Sequence, residues 1–123
     1  MDVTTETGSL ISASKVNGTA VYNPAGENIG KIYDLMLDKV SGKVAYAIMS
    51  FGGFLGMGDD YHPLPWSELK YDTNMGGYVV NSSTQKLKAS PSYAPGTEPA
   101  WQDPKYNEEV YGYYGKEKPF WDR

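Results

Sequence analysis

GTAVYNPAGENIGKIYDLMLDKVSGKVAYAIMSFGGFLGMGDDYHPLPW, residues 18–66, alternates strand-like runs with turn signals and decides the fold class. Gly18 to Tyr22 is a short β-prone run. It ends in Asn23-Pro24-Ala25-Gly26-Glu27-Asn28, a turn in which proline presets φ and glycine permits a positive φ. In the next run, Ile29 to Asp38, Leu35 and Leu37 share a face with Ile29, whereas Ile32 falls on the other face of a regular strand. That odd spacing predicts a β-bulge near Tyr33-Asp34, the device by which a small sheet curls. Ser41-Gly42 turns the chain, and Lys43 to Phe51 carries apolar residues on both faces, as in a barrel wall covered from outside.

Outward from this stretch the signals continue. Pro63 and Pro65 confine Tyr61 to Leu64 to an edge or irregular pairing. Lys70 to Asp72 and Tyr78 to Asn81 flank a glycine-containing hairpin loop, Thr73 to Gly77. Five or six short strands at this spacing predict an all-β chain, a small barrel of about six strands. Ser82 with Gln85 forms a capping-box pattern ahead of a short helix, and Ser90 to Pro99 reads as a linker. Asp103-Pro104 then starts a helix whose apolar stripe is Tyr106, Val110, Tyr113 and Tyr114, and which Gly115 stops. The expected organisation is a flexible segment over residues 1–13, a barrel with its short helix over 14–89, and a linker with an aromatic, partly helical tail over 90–123.

The 123 residues, 40% hydrophobic and 21% charged, are one domain's worth of material, and a net charge of −4 with scattered Lys and Arg argues against a nucleic-acid partner. With no cysteine there is no disulfide, no thiolate nucleophile and no Cys-ligated metal. The N-terminus lacks the basic start and apolar run of a signal peptide. Nowhere do about 18 apolar residues follow one another, so the expectation is a cytoplasmic protein without membrane insertion.

Candidate sites are few. Gly52 to Gly58 has the glycines of a phosphate loop, but no Lys-Ser/Thr follows and Asp59-Asp60 would repel an anion. His62, the single histidine, with Asp59 and Asp60 falls short of a zinc ligand set, and no serine sits in a strand-to-helix elbow to pair with it. Asp34 and Asp38 read as turn and strand-end residues as readily as a general acid/base pair, and nothing fixes their separation. Phe54, Leu55 and Met57 either plug the barrel end, which the rarity of large exposed apolar patches favours, or present a contact patch. Trp101, Phe120 and Trp121 lie in polar sequence and need something to bury against, the barrel or another subunit. Together with His62, Tyr113 and Tyr114 these residues make up the candidate interaction surface; no catalytic residue, metal or cofactor is expected.

Asn17 to Asn81 resembles a PRC-barrel domain, the small barrel of the photosynthetic reaction centre H subunit and of a ribosome maturation factor. The carriers are Gly18 and Val21, Gly30-Lys31-Ile32 with Asp34, Leu35-Met36-Leu37-Asp38, Gly42-Lys43-Val44, and Phe51 to Gly58 followed by Leu64-Pro65-Trp66. The last block resembles free-standing bacterial members more than it does the reaction centre subunit. The resemblance implies a barrel of about six strands and action through protein contacts rather than catalysis. The expectation is a non-enzymatic homodimer serving assembly with an unidentified protein partner. The alternative, by family analogy, is a redox-linked regulator that contacts a quinone or an electron-transfer complex.

Overall fold

The computed structural model describes residues 9–51 and 60–121. A four-residue helix, α1 (Ala13–Val16), leads into β1 (Ala20–Tyr22), β2 (Asn28–Leu37), β3 (Val44–Phe51) and β4 (Tyr61–Pro65). A 3-10 turn (Trp66–Glu68) connects β4 to β5 (Leu69–Asp72), and β6 (Gly77–Val80), α2 (Thr84–Lys88) and α3 (Pro104–Tyr113) complete the chain. The six strands form one curled sheet in the order β4-β3-β2-β1-β6-β5. All pairs are antiparallel except β1 with β6. The two edge strands, β4 and β5, are consecutive in the chain, so the 3-10 turn spans the gap that ladder hydrogen bonds leave. Proline-bearing β4 sits at an edge, as its missing N–H groups require.

The expected bulge is present. Ile32 pairs with Met49 and Asp34 with Ile48, which leaves Tyr33 as the extra residue of β2. The bulge sends two consecutive side chains, Tyr33 and Asp34, to the outer face while Ile32 stays fully buried inside. Just before it, Gly30 lies against the Ser50 carbonyl, where any Cβ would collide with backbone. A second irregularity, with Met36 opposite Tyr46 but Leu37 opposite Val44, follows near the end of β2.

Strand β3 is buried on both faces. Ala47 and Met49, with their cross-strand partners Leu64 and His62, face the barrel interior, while Tyr46 faces the tail. The tail packs on its own barrel: Tyr46 Oη donates to Asn107 Oδ1 at 2.7 Å, and Tyr111 Oη donates to the Ala45 carbonyl at 2.9 Å. Lys116 Nζ meets the buried Glu68 carboxylate at 2.9 Å, a third tie between tail and barrel.

Asp103 caps α3 through the Lys105 N–H, with proline in the first turn, and Gly115 ends it at φ 67°. The buried face of α3, however, is Asn107, Val110 and Tyr111 with Tyr114 just beyond, and Tyr106 and Tyr113 lie at its margins. The stripe is rotated because Asn107, polar by type, is drawn inside by the Tyr46 hydroxyl. Helix α2 is capped by Ser83, which accepts from the Lys86 N–H, rather than by Ser82. Ser82 is turned inward, and its hydroxyl donates to Glu68 Oε1 at 2.8 Å. No helix among the described residues is long and apolar enough to cross a membrane.

Candidate functional site

The tail does not seal the sheet completely. A cleft of about 300 Å³ remains between the β2–β3 turn and the tail, lined among others by Met36, Leu37, Val40, Tyr46, Asn107, Trp101 and Trp121. Two of its buried polar side chains satisfy each other: Tyr46 Oη donates to Asn107 Oδ1, and Asn107 Nδ2 in turn donates to the Trp101 carbonyl at 2.9 Å. Burial, with smaller contributions from Tyr111 and Tyr106, raises the Tyr46 hydroxyl far above its ordinary pKa. The Tyr111 hydroxyl is pushed up to about 12 by burial. Neither phenol is an acid or base at neutral pH.

The walls are aromatic. Trp121 stands edge-on to both Tyr46 and Tyr111, at 5.4 and 5.3 Å between ring centroids, and Trp101 is tilted on Tyr46 at 5.8 Å. Apolar side chains open to solvent stand at the mouth: Leu37 is 51% exposed and Val40 83%, and Phe120, 41% exposed, lies edge-on to Trp121 at 5.0 Å. Lys43 Nζ lies 5.6 Å from the centre of the Phe120 ring, and Asp38 and Lys39 complete the edge.

The residues expected to form a contact surface are thus divided. Trp101 and Trp121 wall the cleft, and Phe120 packs beside Trp121. Tyr113 is half-buried, donates from its hydroxyl to the Lys86 carbonyl at 2.6 Å, and lies under the Lys86 ammonium, away from the cleft. Tyr114 and His62, expected at the surface, are buried in the core beside Ser90. The Tyr114 hydroxyl lies near Ser90, whose Oγ donates to the Leu87 carbonyl at 2.6 Å, and burial raises the phenol's pKa above the ordinary value. Phe54, Leu55 and Met57 lie outside the described residues.

His62 and Ser90, 2.9 Å apart, have the composition of a base and a nucleophile but the wrong polarity. Ser90 Oγ has one proton and donates it to Leu87 O. The contact to His62 Nδ1 must therefore run from the imidazole N–H to the serine oxygen. Desolvation holds the imidazole below its usual pKa, against the pull of Asp60. A histidine that donates to serine cannot deprotonate it. Trp66 is half-buried and edge-on to Tyr78 at 5.5 Å, well packed as an anchor of the core. Among the described residues no group of three or more His, Asp or Glu side chains gathers as a metal site would require.

Sequence reasoning missed Tyr46 and Asn107 as parts of this arrangement. Tyr46 and Asn107 are 61 positions apart, and a local pattern carries no trace of their pairing. Val40, an apolar residue inside the polar turn between β2 and β3, was the available signal for the rim.

No curated protein matches the chain. The sequence model of the PRC-barrel domain matches residues 8–87, a span that takes in all six strands and ends within α2. With the curled six-stranded sheet and the match over more than half of its length, the chain belongs to the PRC-barrel family.

Proposed function

We propose that the protein is a non-catalytic assembly module that pairs with a second copy of itself through the rim of the tryptophan-walled cleft. The observation that carries this reading is the exposure of Leu37 and Val40 in the lining of an aromatic hollow, with Phe120 exposed beside the Trp121 that walls it. Apolar side chains grouped in this way mark contact surfaces on soluble domains. A second copy suits the patch because its edge holds both signs of charge, Asp38 beside Lys39 and Lys43. A two-fold contact, in which each patch meets its own copy, brings patches of mixed charge together rather than like charges alone. The polarity of the His62–Ser90 contact supports the non-catalytic part.

The test is mass in solution. Light scattering at rising concentration is expected to show a dimer for the native chain, and Val40→Asp is expected to yield a monomer whose circular dichroism matches the native chain's. A native chain that stays monomeric at high concentration, or a Val40→Asp variant that stays dimeric, overturns the reading. The dimer leaves the opposite surfaces free for the unidentified protein partner of an assembly role.

A further inference from the structure

A second cleft, of about 270 Å³, lies on the same outer face and is lined by Tyr33, Asp34, Met36, Tyr61, Tyr93, Gly96 and Glu98. Two unusual pieces of backbone build it. The β2 bulge turns Tyr33 and Asp34 outward together, and the segment after α2 is strapped to edge strand β4 by a pair of hydrogen bonds. Tyr61 N–H donates to Tyr93 O at 2.8 Å and Tyr93 N–H donates back at 2.9 Å. What reads in the sequence as a linker is therefore a wall.

The chemistry of the lining is specific. The Tyr33 and Tyr61 rings stack at 4.1 Å and 14°, and Tyr93 meets Tyr61 at 5.5 Å and 62°, so three ring surfaces turn through a corner. Tyr33 is 48% exposed, leaving π surface to solvent. Two carboxylates flank the rings. Glu98 is held in place by the Trp101 indole N–H, which donates to Oε1 at 3.0 Å, and Asp34 accepts from the Leu35 N–H at 2.8 Å. Both line the cleft, and with burial as the larger cause they help to raise the Tyr93 hydroxyl above its ordinary pKa. No Lys or Arg lines the cleft among the described residues.

Aromatic faces set at an angle beside unneutralised carboxylates attract one class of ligand, a cation with an apolar skin. A metal ion does not fit, since the rings offer it no ligand atoms and the two carboxylates too few. An anion is repelled. We infer that this cleft binds an organic ammonium group, with Tyr33, Tyr61 and Tyr93 against its alkyl surface and Asp34 and Glu98 balancing its charge. The inference is independent of the dimer, whose rim residues are different.

The Trp101 indole N–H, bonded to Glu98, is a built-in reporter. Titration of the native chain with tetramethylammonium chloride, followed by the NMR signal of that N–H, is expected to give a saturable shift that sodium chloride at equal ionic strength does not produce. Asp34→Asn combined with Glu98→Gln, and separately Tyr33→Leu, are each expected to weaken binding about tenfold. Both changes lie at exposed positions, and an unchanged melting temperature verifies the fold. A parallel titration with the amide of N-acetyl-trimethyllysine separates the sources of the group. Tighter binding than tetramethylammonium assigns it to a modified protein side chain, equal binding to a free small molecule, and either result supports the site. A shift that sodium chloride reproduces, or variants that bind as well as the native chain, overturns it.

Discussion

The proton on the His62 imidazole is placed by its neighbours: Nδ1 donates to Ser90, and the ring stands edge-on to Phe51 at 5.0 Å. Burial disfavours the charged ring, so the folded pKa lies below the 6.5 of the free side chain, with Asp60 as the opposing influence. As pH falls below 6.5 the unfolded chain takes up a proton that the fold refuses, and the folded state loses stability. Above 6.5 both states are neutral and His62 contributes no pH dependence. His62→Gln keeps a donor for Ser90 but cannot titrate. Between about pH 7 and about pH 5 the native protein is expected to lose more stability to denaturant than the variant does. Parallel curves for the two proteins would show that His62 is not kept neutral. This behaviour is invisible in the sequence, where the lone histidine beside two aspartates falls among the candidate contact residues.

At the scale of elements, two adjacent serines show where local pattern and tertiary context part. The capping-box spacing favours Ser82, yet Ser83 caps α2 and Ser82 supplies a hydrogen bond to the buried Glu68, whose other oxygen holds Lys116 of the tail. Ser83→Ala removes a cap at an exposed helix end, which costs about 1 kcal/mol. Ser82→Ala leaves a buried carboxylate short of a donor, which costs about 1–3 kcal/mol. Urea unfolding is therefore expected to rank Ser82→Ala as the more damaging change, and the reverse order would return the cap to Ser82. The same division runs through the fold. The bulge at Tyr33, the double-faced burial of β3 and the edge position of β4 follow from parity, composition and proline, all of which are local. The rotation of the α3 face by Asn107 and the strap of Tyr93 on Tyr61 depend on residues far apart in the chain. Ser90 to Pro99 has no periodicity to announce a pairing. The first cleft was legible only through its tryptophans, because its floor is made by a contact between β3 and a helix 61 positions away.

Over the whole molecule, the tail is joined to the barrel largely through tyrosines, of which the chain has 11. Tyr46 on the sheet and Tyr111 and Tyr114 on and just beyond α3 are all buried, and burial raises each hydroxyl above the ordinary value of 10.0. The fold therefore keeps these protons after the unfolded chain has released them. Above pH 10 the unfolded state binds fewer protons than the folded one, and stability declines as pH rises. Each tyrosine that remains protonated in the fold steepens the decline by about 1.4 kcal/mol per pH unit. Three in one interface set a sharp alkaline limit, and the hydrogen bonds Tyr46–Asn107 and Tyr111–Ala45 link tail and sheet at that limit. Alkaline titration is expected to show one cooperative transition, with tyrosinate absorbance and loss of the sheet's circular dichroism rising together. Tyr111→Phe removes one titrating group and one tie to Ala45, so its transition should be less steep as well as displaced. If the tyrosinate signal instead completes while the sheet remains intact, the tail detaches by itself. The barrel would then be a separate folding unit, and the clefts it shares with the tail would open with every such event.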